Sequence, residues 1–488
     1  MPETTAAPET TAVPETTAAP EPDTPTTQII ENAALPMLSG YQNNLTDGAA
    51  DPMILTANGK YYLYSTGGSA FYVKISSNLR SWVKQSTPIL KLSDTAWAKQ
   101  NGWAPEAYFY NGRYYLVFSA MNANGIHCID IAVSDSPNGQ FRPLADTPFY
   151  APGYSVIDAS LFFDDDGRIY LYYSKDCSTN TVDGRRTSQT WGIEVKSDFS
   201  GTIGKAVLIS TPDQSWEMIS GDPLWNEGPV VFKENGTYYL LYSANYYRSQ
   251  NYSVGYATAK SPLTFFTKPK NNRILQGNGK TVTGPGHCNI FRSPDGSELY
   301  IVYHVHTVPP TIDKGRSAAI DRLLVNGDGT LSVAGPSLLL MPVPSGVNGF
   351  IRVHDGFSVT VDGESAPNPS YSDVENIFDG VLASNSKDLL YFKDGGTLTL
   401  TFADKLPLSS LWVYPAQMLS YRPASMTVEI NGTYIIENIS LDNADGAAGI
   451  ASFARLPSDT LVETVKITFH TASGREYAAI NELVLIKK

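Results

Sequence analysis

Basic clusters, paired cysteines and long apolar runs are all missing from this chain. Its 488 residues carry 35 Lys and Arg against 48 Asp and Glu, a formal charge of −13, and no stretch concentrates the positive charge that a phosphate backbone demands. Nucleic acid is therefore not an expected partner. Cys128, Cys177 and Cys288 are odd in number and scattered, without CxxC spacing or a disulfide-framework pattern, and read as small buried hydrophobes. No apolar run approaches the roughly 18 residues a membrane span needs, and no apolar segment follows Met1 as an export signal would. What is present is a chain that is 42% hydrophobic and only 17% charged, rich in Gly, Pro and Tyr. It can bury a sizeable core, and its length calls for two folded domains plus a tail.

The tail comes first. Residues 2–27 nearly repeat Pro-Glu-Thr-Thr-Ala, a composition with nothing to pack, so residues 1–33 are expected to be a disordered Pro/Thr/Glu-rich linker. Such linkers join modules of secreted proteins, which points to an extracellular location and to a segment preceding this one.

From residue 50 to about 310 one unit recurs. NGKYYLYS (58–65), NGRYYLVFS (111–119), DGRIYLYYS (166–174), NGTYYLLYS (235–243) and DGSELYIVYH (295–304) are each an Asn-Gly or Asp-Gly turn followed by an aromatic, β-branched strand. The turns fall at 58, 111, 166, 235 and 295, giving gaps of 53, 55, 69 and 60. About four strands per unit and this period are the signature of a propeller, and five units imply five blades. Past residue 345 the period stops. LTLTFA, SLWVYPA, SMTVEINGTYII and TVKITFH are short alternating strands that suggest a β-sandwich. The expected fold class is all-β, with a five-bladed propeller over 34–345 and a sandwich over 346–488.

Counting back from the turns finds ionisable residues at a recurrent place. Asp51 lies seven residues before Asn58, while Asp158, Glu227 and His287 lie eight before Asp166, Asn235 and Asp295. The second unit breaks the count, with Glu106 five before Asn111, although its Ala-Pro-Glu lines up with Asp51-Pro52. A single carboxylate beside a turn is usually a cap or a solvated loop residue. A series of them is different, because the innermost strand of every blade runs along one central channel and equivalent residues converge on it. Such a cluster cannot be fully ionised, so one member must keep its proton near neutrality, which suits acid/base chemistry.

The motifs in their order, ADPMILTANGKYYLYSTG, SSNLRSW, WAPEAYFYNGRYYLVFS, IDASLFFDDDGRIYLYY, NEGPVVFKENGTYYLLYSANYY and GPGHCNIFRSPDG, resemble glycoside hydrolase family 43 over about residues 45–340. That resemblance implies a five-bladed propeller that hydrolyses arabinose- and xylose-containing polysaccharides with inversion. It makes Asp51 the general base, Glu227 the general acid, and Asp158 the residue that orients the acid and raises its pKa. Inversion needs an ionised and a protonated carboxyl roughly 6.5 to 9.5 Å apart. His287 corresponds to a channel histidine that helps hold calcium through water, and no cofactor is required for the chemistry itself. Arg316 matches an arginine contacting substrate or the acids. Trp103, Glu106 and Trp225 are read as substrate-binding, the tryptophans by stacking on sugar rings, although core packing explains a tryptophan as readily. The C-terminal region is similar to the galactose-binding, discoidin-like sandwiches (jelly-roll topology) appended to many glycosidases, with Trp412, Tyr414 and Tyr421 as candidate sugar contacts.

Two rivals stand against this reading. Invertases and levansucrases share the blades and an axial trio, but carry Arg-Asp-Pro at the middle acid, where this chain has Ile157-Asp158-Ala159. A non-catalytic sugar-binding propeller is disfavoured by the complete trio. The resemblance leaves α-L-arabinofuranosidase, β-xylosidase, endo-arabinanase and galactofuranosidase open, with the first expected, acting as a monomer on a carbohydrate polymer or oligosaccharide.

Overall fold

Each aromatic hairpin of the sequence forms the inner two strands of an antiparallel sheet, four-stranded in the first four cases and joined by a fifth strand in the last. The computed structural model describes residues 27–37, 39–364, 373–382, 387–443 and 445–488. The inner strands of the five sheets are Met53–Ala57, Gln100–Tyr110, Val156–Phe163, Asn226–Glu234 and Gly286–Arg292, here blades I to V. These five strands touch one another in a closed ring, so the structure is a five-bladed propeller around a central channel. The two-residue turns at Asn58-Gly59, Asn111-Gly112 and Asn235-Gly236 have positive φ at both positions, the condition of the hairpin turn that matches strand twist. Blades III and V differ. Their Asp-Gly pairs lie inside longer loops in which only Gly167 and Gly296 have positive φ.

Equivalent positions of the five second strands are filled by Leu63, Leu116, Leu171, Leu240 and Ile301, none of them exposed. Burying each contributes about 1.5–3 kcal/mol, and together they pack the blades against one another. The ring is closed by residues from upstream. Thr46–Asp47 pairs with Ala318 and Ser317 of blade V, immediately before the chain enters blade I.

The C-terminal region is built as one ten-stranded sheet that curls around its own core of Leu398, Leu400, Val428, Ile467 and neighbours. The long strand Leu390–Leu406 joins its two halves. Its first residues pair with Ala478–Ile480 and its later ones with Thr464–Thr468 and Ser358–Asp362.

Two expectations change here. Residues 1–26 lie outside the described residues, but the linker boundary expected at 33 does not hold. Gln28–Ile29 forms a parallel strand beside Tyr434–Ile435, and the Asn32 side chain bonds Ile450 O and Ser452 N. The proposed sugar contacts of the C-terminal region also fail. Trp412 and Tyr414 are fully buried in a cluster shared with Tyr41, Ile54, Phe291 and Val343 of the propeller, and Tyr414 Oη donates to Leu340 O at 2.7 Å. They join the two domains. Only Tyr421 stays half-exposed, edge-on to Tyr391.

Candidate active site

The five inner strands make the same backbone excursion at the same height. Asp51, Ala104, Asp158, Gly228 and His287 have φ between +43° and +58°. In blades II to V the pairing slips by one residue around this point, a β-bulge between Trp103 and Glu106, Ile157 and Ser160, Glu227 and Val230, and Gly286 and Asn289. Left-handed backbone costs a non-glycine residue roughly 1–3 kcal/mol and concentrates at functional sites.

A polar side chain on or just past the preceding blade's second strand secures three of these five excursions. Ala104 N donates to Thr66 Oγ1 at 2.9 Å, His287 N to Ser243 Oγ at 2.7 Å, and Asp51 N to His304 Nδ1 at 3.3 Å. In the strand repeats, Thr66, Ser119, Ser174, Ser243 and His304 occupy one equivalent position. The fourth bulge is held differently, with Gly228 N donating to Asp158 Oδ2 at 3.2 Å.

This register corrects the alignment drawn from turn spacing. Asp51, Asp158 and His287 are equivalent, but Glu227 stands one residue earlier, where blade III has Ile157 and blade V has Gly286. The bulge residue lies seven positions before the Asn of the short turns in blades I, II and IV, and eight before the Asp of the longer loops in blades III and V. Glu227 matched the count of eight only because its own turn is shorter. The apparent break at Glu106 disappears as well, because the blade II equivalent is Ala104.

A cavity of about 270 Å³ opens over the bulges, and its wall includes Asp51, Asp158, Glu227, His287, Arg316, Trp103 and Trp225. Glu106 is not in that wall. It lies two residues past the bulge, roughly 7 Å further along the channel, where it is buried and accepts a hydrogen bond from Tyr108 Oη. Its expected role in binding substrate is therefore withdrawn. Burial pushes its carboxyl up to about 7, against hydrogen bonds from Tyr108, Ser160 and Asn289 that lower it.

The trio occupies contrasting environments. Burial disfavours the charge of Asp51, yet Arg316 Nη1 at 2.6 Å from Oδ1, followed by His287 and the Thr66 hydroxyl at 2.6 Å from Oδ2, holds the carboxyl far below the usual range. It is ionised. His304 adjoins this set as a neutral ring, because its Nδ1 accepts the Asp51 amide and burial together with Arg316 drives its pKa down. Glu227 is the opposite case. Burial first, then the like charge of Asp158, raises it well above the ordinary value, and one hydrogen bond from Tyr252 Oη at 3.0 Å does not reverse this. Asp158 is raised by burial to about 6, against the opposing pull of His287. The pocket thus holds one carboxylate fixed in its charged form and one acid that keeps its proton.

His287 is expected to help hold calcium through water, not as a direct ligand. Calcium takes six to eight oxygens, the ring's Nδ1 stands 3.5 Å from Asp51 Oδ1, and among the described residues no three His, Cys, Asp or Glu side chains are grouped to hold a metal ion.

Several wall residues escaped sequence reasoning: Thr66, Asp176, Tyr246, Tyr247 and Tyr252, with His304 directly behind Asp51. The signal for Thr66 and His304 was present in the repeats, as the polar residue three positions after the buried Leu or Ile of each second strand. Tyr246 stacks on Trp225 with ring centroids 5.1 Å apart, and Arg316 lies over Tyr247 at 4.9 Å.

Comparisons with known proteins agree with this geometry. The family model described as glycosyl hydrolases family 43 matches residues 41–331. A β-D-galactofuranosidase of Aspergillus niger is 31% identical over 308 residues, 58% of this chain and 81% of that protein. An α-L-arabinofuranosidase of Humicola insolens is 27% identical, with the match spanning 63% of this chain and 64% of that one. Among solved structures, a thermostable family-43 glycoside hydrolase is 40% identical, with a TM-score of 0.59 over 62% of this chain and 99% of that one. With the blades, the axial carboxylates and a matching model over most of its described length, the chain belongs to glycosyl hydrolase family 43.

Proposed function

We propose that this protein is an exo-acting, inverting α-L-arabinofuranosidase that trims plant cell-wall polysaccharides outside the cell. Asp51 is the general base that activates water, Glu227 the general acid that protonates the departing glycosidic oxygen, and Asp158 the group that holds the acid's proton in place. The observation that carries this reading is the contrast between an Arg316-bound, ionised Asp51 and a buried, proton-holding Glu227 in one cavity. Two carboxyls whose environments drive their pKa values apart divide naturally into base and acid.

Exo action is supported by the cavity's shape. Its volume of about 270 Å³ is at the small end for ligand sites, and beneath it the channel is filled by Glu106, Tyr108, Ser160 and Asn289. One sugar ring fits such a blind pocket better than the middle of a polymer. A second reading, β-D-galactofuranosidase, is favoured by the 31% identical Aspergillus enzyme. The two sugars share their furanose ring stereochemistry and differ by one hydroxymethyl group.

The test is hydrolysis of nitrophenyl α-L-arabinofuranoside, β-D-galactofuranoside and β-D-xyloside, alongside linear arabinan, with Asp51→Ala as control. Fastest release from the arabinofuranoside, abolished in the variant, is the expected result. Preference for the galactofuranoside would select the second reading, and cleavage of arabinan alone would refute exo action.

A further inference from the structure

A fourth carboxylate faces the cavity and has no part in the chemistry above. Asp176 follows directly on the blade III strand Ile169–Lys175 and lines the pocket beside Trp103, Ile157 and Glu227. Its Oδ1 accepts the Ser178 amide at 2.9 Å, closing a local turn. Its Oδ2 meets only the weak donor Cys177 Sγ at 3.9 Å among the described residues. A carboxylate oxygen has room for two hydrogen bonds, so Oδ2 presents unused acceptor capacity to the space a sugar would fill. Neighbouring residues fix that placement. The Asp176 amide donates to Ser155 O at 3.0 Å, Ser155 Oγ accepts the His127 amide at 3.2 Å, and the His127 ring stacks on Trp103 at 4.4 Å.

We infer that Asp176 is a substrate-binding residue, its free carboxylate oxygen accepting a hydrogen bond from one hydroxyl of the sugar seated in the pocket. This rests on the glycosidase reading above. Charge-assisted bonds of this kind are the strong ones, and a site built around a substrate hydroxyl rejects the analogue lacking it.

Asp176→Asn is the informative variant, because the amide oxygen still accepts from Ser178 and the turn survives. Wild type and variant are compared on nitrophenyl α-L-arabinofuranoside and on its 2-, 3- and 5-deoxy counterparts. On the complete sugar, kcat/KM should fall about ten- to hundredfold. On one deoxy sugar the two proteins should differ little, because the contacted hydroxyl is already gone. An equal loss on all four substrates would overturn the inference. So would an unchanged plateau of kcat/KM with only the alkaline limb of its pH profile displaced, since Asp176 would then act on Glu227 by charge alone. If the wild type cleaves none of the four, the glycosidase reading on this sugar fails first, and the same pair is run on the galactofuranoside, where equal rates for wild type and variant would overturn the inference.

Discussion

The Gly228 amide of blade IV donates to Asp158 Oδ2 of blade III at 3.2 Å, which ties the residue beside Glu227 to the carboxylate that, after burial, does most to keep Glu227 protonated. Position and charge are therefore set by one contact. Asp158→Asn keeps the shape and removes the like charge, so Glu227 should ionise at lower pH. The alkaline limb of the kcat/KM profile should move toward acid, with the difference confined to pH above about 6, where Asp158 itself is charged. An unmoved limb would show that burial alone sets the acid.

Leaving-group chemistry separates the two catalytic roles. Glu227→Ala should nearly abolish turnover of natural substrates while sparing much of the activity on substrates whose leaving group needs no proton. Asp51→Ala should abolish both. Equal loss on both substrates in the Glu227 variant would argue against its role as the acid.

Gly286, in the Gly-Pro-Gly-His motif, is glycine for a steric reason. A Cβ there would lie 2.2 Å from Cε1 of Tyr252, whose hydroxyl is bonded to Glu227. Gly286→Ala should displace that ring and lower kcat on natural substrates by about three- to tenfold, roughly the worth of one neutral hydrogen bond. Tyr252→Phe should reproduce the loss of the bond without the steric push. A Gly286→Ala enzyme of normal activity would mean that Tyr252 can be spared.

The buried carboxyls also forecast stability. Glu227, Asp158 to about 6, Glu106 to about 7 and Asp321 to about 8 all have folded-state pKa values above their ordinary ones, chiefly through burial. A carboxyl raised on folding binds its proton more tightly in the native state, so stability falls as pH rises from the unfolded value through the folded one. Melting temperature should drop between about pH 4 and pH 8, and Glu227→Gln should soften that drop by raising Tm at pH 8 more than at pH 5. Asp51 has the opposite sign, since its lowered pKa contributes stability above pH 4 that is lost below it. A Tm that climbs across the whole range would contradict these assignments.

Much of this molecule was legible in its sequence, for identifiable reasons. The blade count follows from the Asn-Gly and Asp-Gly hairpins, because those turn residues leave the backbone little choice. Asp51, Asp158, Glu227, Trp103, Trp225, His287 and Arg316 all reach one cavity. Glu106 was misplaced because its Ala-Pro-Glu was lined up with Asp51-Pro52, whereas the count of seven shared by the short turns of blades I and II falls on Ala104, an apolar residue that draws no attention in the sequence. Trp412 and Tyr414 were misread for a different reason. An aromatic residue at a domain junction and one at a sugar site have the same local pattern, and only the burial of Trp412 against Gly40, Leu340 and Met341 separates them. Trp412→Ala should accordingly cost about 3–5 kcal/mol, seen as a lower Tm without any change in sugar affinity.

The strand at Gln28–Ile29 has a mechanical consequence. It is fastened to the C-terminal sheet by two backbone bonds, Gln28 N to Thr433 O at 2.7 Å and Ile30 N to Ile435 O at 2.8 Å. A pull applied to the chain just before Gln28 would load this clasp, and with it the ten-stranded sheet, before it reached any blade. The five blades, which carry the axial carboxylates, lie downstream of that fastening.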